Sequence, residues 1–143
     1  MSKKRNPSAV LFICTQNAIR SPMAAALMHH LAGHKTYVAS AGIRAGDPDP
    51  FVGMIMDEVG LDLTRHRPHA IEDLADSGFD LVITLSPEAE AYARDMARPL
   101  AIDVEHWPTP DPSVTQGSRN QILDSYRDVR DGLKRKIDER FGS

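Results

Sequence analysis

Two short, almost entirely apolar runs constrain the fold more than any other feature of the chain: Ala9 to Ile13 (AVLFI) and Leu81 to Leu85 (LVITL). Five residues are too few for a helix, and the lack of polar alternation points to strands covered on both faces. A Ser-Pro pair follows each run, Ser21-Pro22 after the first and Ser86-Pro87 after the second. Serine is a good N-cap, and proline suits a first helical turn, where its missing N–H costs nothing. A doubly covered strand leading into a helix is the repeating unit of a parallel α/β sheet.

The rest of the chain continues this alternation. Met23, Ala26, Leu27, His30 and Leu31 keep helical spacing up to Gly33, and Tyr37-Val38-Ala39 reads as a second strand that ends at Gly42. A Gly-, Asp- and Pro-rich loop runs to Pro50, followed by a helix over Phe51–Val59 that closes at Gly60. Thr64 to Ala70 is a polar, basic loop, and Ile71 to Asp76 has room for one or two helical turns. The helix after Ser86 is expected to run to about Arg98, where Pro99 stops it, with a fourth strand over Leu100–Val104. Trp107 to Pro112 holds three prolines and is read as irregular. Ile122, Tyr126, Val129, Leu133 and Ile137 form one apolar stripe on a final helix, whose charges from Arg127 to Arg140 are read as its solvated face. The expected fold is α/β: a single domain over 1–143, a three-layer sandwich with a four-stranded parallel sheet, residues 1–7 being flexible.

Composition narrows the function classes. A length of 143 residues fits one domain. Seventeen Lys and Arg against 20 Asp and Glu leave a net charge of −3, which argues against nucleic acid as a partner. No apolar run approaches the ~18–20 residues of a membrane span. Lys3-Lys4-Arg5 is followed by Asn6-Pro7 and not by a signal-peptide core, so the expected location is the cytoplasm. One cysteine rules out an internal disulfide and a thiol-rich zinc site. His29, His30 and His34 lack metal-ligand spacing, so no metal or cofactor is expected. Met23, Met54 and Met56 are read as core.

In a parallel α/β sheet, ligands bind beyond the carboxyl ends of the strands. The segment there after the first strand reads Cys14-Thr15-Gln16-Asn17-Ala18-Ile19-Arg20-Ser21-Pro22. Successive N–H groups of such a turn can line a concave nest for a tetrahedral oxyanion, and the helix start adds partial positive charge. Arg20 can hold two non-bridging oxygens with parallel hydrogen bonds. Cys14 at the base of this electropositive cup is then favoured as thiolate, an activated nucleophile. Ser21 can cap the helix or donate to the sulfur, and Asn17 suits a left-handed position. Asp111, just beyond the fourth strand, can protonate a leaving oxygen and later activate water. Asp47 and Asp49, on the loop after the second strand, are alternative acids. His66 and His69 flank Arg67 and are read as solvated.

At this point the chain resembles the low-molecular-weight protein tyrosine phosphatases and the arsenate reductases of the same fold. The resemblance rests on Ile13-Cys14-Thr15, Asn17, Arg20-Ser21-Pro22-Met23-Ala24, Ser40-Ala41-Gly42, His66-Arg67 and Asp111-Pro112. It implies a phosphocysteine intermediate on Cys14 and clamping by Arg20. The oxyanion would be bound by the loop from Thr15 through Gln16, Asn17, Ala18 and Ile19 to Ser21, with Asn17 and Ser40 as braces and Asp111 as the acid. The implied ligand is phosphate or arsenate, and the substrate a phosphorylated protein or a small phosphoester; the alternatives are an arsenate reductase using the same cysteine and a non-catalytic phosphate-binding domain in which Gln16 and Ser113 mark a degraded site.

Several residues depart from the family pattern. Gln16 stands where the family has glycine, which would strain the loop if that position requires positive φ and would otherwise crowd the pocket mouth. Ile19 replaces the second cysteine of eukaryotic-type members. Ser113 replaces the Tyr or Phe that walls a phosphotyrosine slot, with Phe51 and Trp107 the nearest aromatic substitutes. His106-Trp107-Pro108 is similar to the arsenate-reductase branch, yet Ser86 lies where a resolving cysteine is expected. With a single thiol, arsenate reduction requires an external low-molecular-weight thiol.

Overall fold

The computed structural model describes residues 7–74, 78–100 and 102–142. Four strands, β1 (Ala9–Cys14), β2 (Tyr37–Gly42), β3 (Leu81–Thr84) and β4 (Asp103–His106), alternate with four helices. The helices are α1 (Arg20–Ala32), α2 (Val52–Asp57), α3 (Pro87–Ala97) and α4 (Arg119–Phe141). Short 3-10 turns occupy Ile71–Asp73 and Pro112–Val114. The strand order is β2-β1-β3-β4 and every pairing is parallel.

The apolar runs become the central strands because each residue has a core to enter. Val10, Phe12 and Cys14 pack with α1, α2 and α4 on one face, while Leu11 and Ile13 pack with Ala89 and Ala93 of α3 on the other. Strand geometry sends alternate side chains to opposite faces, so the two core clusters follow from the pleat of β1. Ser86 caps α3, its hydroxyl accepting from Ala89 N, and Pro87 opens that helix. Gly60, at φ +79°, closes the turn after α2, with Leu61 N donating to Met56 O at 3.0 Å. Chain direction reverses its progress across the sheet between β1 and β3, so the loops after those two strands meet at the switch point.

The structure corrects four expectations. The fourth strand begins at Asp103, not Leu100, and Leu100 is 60% exposed; an edge strand reading DVEH carries little apolar signal of its own. Met54 is exposed, whereas Met23 and Met56 are core. The charged face of α4 is not wholly solvated: Arg130 is 8% exposed and donates to Ile55 O, Glu58 and Asp131. Ser21 is not the cap of α1, which starts one residue earlier with Ile19 at the N-cap and no side-chain cap. Of the turn expected over Ile71–Asp76, Ala75 and Asp76 lie outside the described residues, as do residues 1–6 at the start. Pro7 is buried, its carbonyl accepting from the Thr36 hydroxyl at 3.1 Å. No helix among the described residues is long and apolar enough to cross a membrane.

Candidate active site

The loop from Cys14 to Arg20 is shaped by where its carbonyls go. Those of Cys14, Thr15 and Gln16 accept from the N–H groups of Ile43, Arg44 and Gly46 at 3.1, 3.1 and 2.9 Å. The carbonyl of Asn17 pairs with His66 Nε2 at 2.8 Å, and because a carbonyl only accepts, Nε2 carries the proton. In a trans peptide the C=O and the following N–H point opposite ways, and there are no cis bonds among the described residues. Four carbonyls drawn outward therefore turn the N–H groups of Thr15, Gln16, Asn17 and Ala18 inward. One of them is bonded already: Asn17 N–H donates to Cys14 Sγ at 3.3 Å. The result is a nest of donors around a sulfur that is 2% exposed.

Asn17 locks this shape. Its φ of 58° is the only positive φ of a non-glycine among the described residues, and asparagine tolerates that region better than most. Fully buried, it donates from Nδ2 to Ser21 Oγ at 2.8 Å and Ser40 Oγ at 3.0 Å, and accepts from His69 N at 3.1 Å. Gln16 has no positive φ, so the loop bears no strain at the position where the family has glycine. Its side chain instead lies against Gly46, where a Cβ would come within 2.7 Å of Gln16 Cβ and Oε1. Ser21 Oγ sits 3.0 Å from Cys14 Sγ, so a thiolate there would receive the hydroxyl proton.

α1 has no side-chain cap, and Pro22 has no N–H, so the first-turn N–H groups of Arg20 and Ser21 remain available to an anion. Arg20 opens the helix, and its Nη1 donates to Thr109 O at 3.0 Å, which fixes the guanidinium while leaving other N–H groups for a ligand. Cys14, Thr15, Gln16, Ala18, Ile19, Arg20, Asp111 and Ser113 line one cavity of about 120 Å³. Asp111 Oδ1 accepts from Ser113 N at 2.9 Å and from Ser113 Oγ at 2.6 Å, so one carboxylate oxygen is anchored and the other is not.

The alternative acids are placed otherwise. Asp49 Oδ1 accepts from Phe51 N and Val52 N at the start of α2, and its Oδ2 accepts the Tyr126 hydroxyl at 2.7 Å. Asp47 is exposed and does not line the cavity. Neither aromatic substitute walls it either. Phe51 packs edge-on to Tyr126 under the Arg119 guanidinium, and Trp107 is core between Phe12 and Phe141. Ser86, at the end of β3, is buried and receives the Thr15 hydroxyl at 3.0 Å across the switch point. Among the described residues no cluster of His, Cys, Asp and Glu could hold a metal ion.

His66 and His69 correct the solvated reading of their loop. Both brace Asn17 from behind, His66 at the carbonyl and His69 through its backbone N–H. Burial holds the His66 imidazole below its ordinary range, against the opposing pull of the Asn17 hydrogen bond. Sequence gave little sign of this, since the contacts span about fifty positions. The link is made by Gly42 N, which donates to His69 O at 2.9 Å and brings the 66–70 segment alongside the end of β2.

Known proteins resemble the chain over most of its length. Arsenate reductase 1 of Staphylococcus epidermidis is 33% identical over 129 residues, covering 90% of this chain and 92% of its own. Among solved structures, an arsenate reductase in the phosphate-binding state superposes with a TM-score of 0.73 at 26% identity, covering 92% of this chain and 95% of the other. The tyrosine phosphatase AmsI of Erwinia amylovora shares the fold with a TM-score of 0.75 at 18% identity, over 97% and 94% of the two chains. The family model described as low molecular weight phosphotyrosine protein phosphatase matches residues 9–141, which takes in the cup, its braces and the loop bearing Asp111. The chain belongs to the low molecular weight phosphotyrosine protein phosphatase family.

Proposed function

We propose that the protein is a cysteine-dependent phosphomonoesterase that works through a phosphocysteine. The observation that carries this reading is the convergence of Cys14, Arg20 and a Ser113-anchored Asp111 carboxylate on one small cavity. In the first step Cys14 Sγ attacks phosphorus, the ester P–O bond breaks, and the leaving oxygen takes a proton from Asp111. Arg20 and the inward N–H groups bear the charge on the equatorial oxygens, where preorganised donors act most strongly. Water then attacks phosphorus as Asp111 accepts its proton, the P–S bond breaks, and the thiolate returns with the Ser21 hydroxyl as its donor.

The test is metal-chelated hydrolysis of 4-nitrophenyl phosphate at mildly acidic pH. Cys14→Ser is expected to abolish turnover while retaining phosphate binding, and Asp111→Asn to slow it by about 10²- to 10⁴-fold. Full activity in Cys14→Ser would end this reading.

A second reading is favoured by the lack of an aromatic wall among the described residues, which suits a free oxyanion, and by the names of the relatives. Here the Cys14 thiolate attacks arsenate with loss of hydroxide. With a single cysteine in the chain, both reducing equivalents come from external low-molecular-weight thiols, leaving arsenite and a disulfide of those thiols. Thiol-dependent consumption of arsenate without phosphoester turnover would select it.

A further inference from the structure

The side chain at position 16 is the feature of the pocket that the chemistry above does not use. Its backbone N–H serves the nest, while the residue as a whole lines the cavity and is exposed, its primary amide lying beside Gly46 without a hydrogen-bond partner among the described residues. Gly46 is what lets it lie there. A Cβ at 46 would fall 2.7 Å from both Gln16 Cβ and Oε1, so the missing side chain at one position makes room for the amide at the other. Beside it in the lining stand the hydroxyl-bearing Thr15 and Ser113, and no aromatic ring. The anion-binding end of the cavity is filled by the oxyanion, so the mouth is where the ester's alcohol must sit.

We propose that Gln16 is the specificity-determining residue of this pocket, its amide hydrogen-bonding a polar group on the leaving alcohol. The site then takes phosphate monoesters of small hydrophilic alcohols in preference to esters whose alcohol is wholly apolar. An aryl ring would cover the amide without satisfying it, and an unpaired polar group shut away from water is unfavourable. A hydroxyl one or two carbons beyond the ester oxygen's own carbon can replace the water that the amide loses. The inference rests on the phosphomonoesterase reading for its catalytic meaning, but the recognition itself can be measured without turnover.

The experiment compares 3-hydroxypropyl phosphate with butyl phosphate, which differ by a terminal hydroxyl in place of a methyl and have closely similar leaving groups. Binding of each to the Cys14→Ser protein is measured by titration calorimetry. The hydroxylated ester is expected to bind about three- to tenfold more tightly, the range of one net neutral hydrogen bond. Gln16→Leu in the same background is expected to erase or invert that ratio. Equal binding of the two esters, failure of both to bind, or a ratio that survives Gln16→Leu would overturn the proposal. Failure of the wild-type protein to hydrolyse 3-hydroxypropyl phosphate with this ratio intact would instead remove the phosphatase reading and leave the recognition standing.

Discussion

Replacing Asn17 by alanine tests whether the cup is held by side-chain bonds or by its own backbone. Three hydrogen bonds of a fully buried side chain disappear, those to Ser21 Oγ, Ser40 Oγ and His69 N. At about 0.5–1.5 kcal/mol net for each, the loss is roughly 1.5–4.5 kcal/mol. Alanine must also keep the φ of 58°, which costs an L-residue about 1 kcal/mol or more. The sum, about 2.5–5.5 kcal/mol, is a large part of the ~5–15 kcal/mol that stabilises an ordinary domain. For a chain of this size it corresponds to a fall in Tm on the order of 10 °C. Asn17→Gly removes the same bonds but relieves the backbone, so it should be less damaging than alanine by about 1 kcal/mol in the φ contribution alone. Urea unfolding of the three proteins, followed by far-UV circular dichroism, gives both differences directly. A loss below about 1 kcal/mol for Asn17→Ala would mean that the main-chain bonds to Ile43, Arg44 and Gly46 suffice, and the bracing role would fall.

Two further outcomes are expected. Arg130→Ala should cost about 1–3 kcal/mol, since it strips a buried acceptor, Ile55 O, of its donor; Arg127→Ala, whose partners Glu58 and Asp124 reach solvent, should cost less than about 1 kcal/mol. Equal losses in the two variants by denaturant titration would contradict the difference in burial. His66 is held below its ordinary value of 6.5, so the unfolded chain takes up the proton first as pH falls. Its contribution is therefore complete above pH 6.5 and declines below it. His66→Gln, which keeps an N–H donor for Asn17 O, should flatten that part of the stability profile between pH 7.5 and 5. An unchanged slope in the variant would show that His66 does not titrate as its burial requires.

Much of the fold and the centre of the site could be read from the chain because their signals are local. The runs at Ala9 and Leu81 and the cap at Ser86 each fix an element within a few residues. The left-handed position of Asn17 was legible for the same reason: few residue types accept it. What sequence missed was set by contacts at long range. His66 and His69 reach Asn17 only because the 66–70 segment lies along the end of β2. Arg130 follows Val129 on the apolar stripe, and nothing in a helical repeat says that its guanidinium turns inward to Ile55 O. The choice among three Asp-Pro pairs depended on partners as well. Asp49 had one local sign, its position two residues before Phe51 at the start of α2, where an aspartate accepts the first N–H groups of a helix. Ser21 shows the opposite case, a good capping residue drawn inside the helix because its hydroxyl has nearer partners in Cys14 and Asn17.

The segment after β2 supports the cup from behind entirely through its main chain. Ile43, Arg44 and Gly46 give only their N–H groups to the loop, and the Arg44 side chain turns away to Glu88 at the surface. A donor of that kind is supplied by every amino acid except proline. Arg44 and Ala45, both exposed, are thus separable from the anion-binding amides, and their charge, size and polarity can change while the cup keeps its shape; the Ile43 side chain also packs against the core cluster of Leu11 and Ile13 and must stay apolar. A library randomised at 44 and 45 should retain the nest in nearly every member lacking proline at 44. The surface behind the cup can therefore drift in sequence while the geometry that holds an anion is kept.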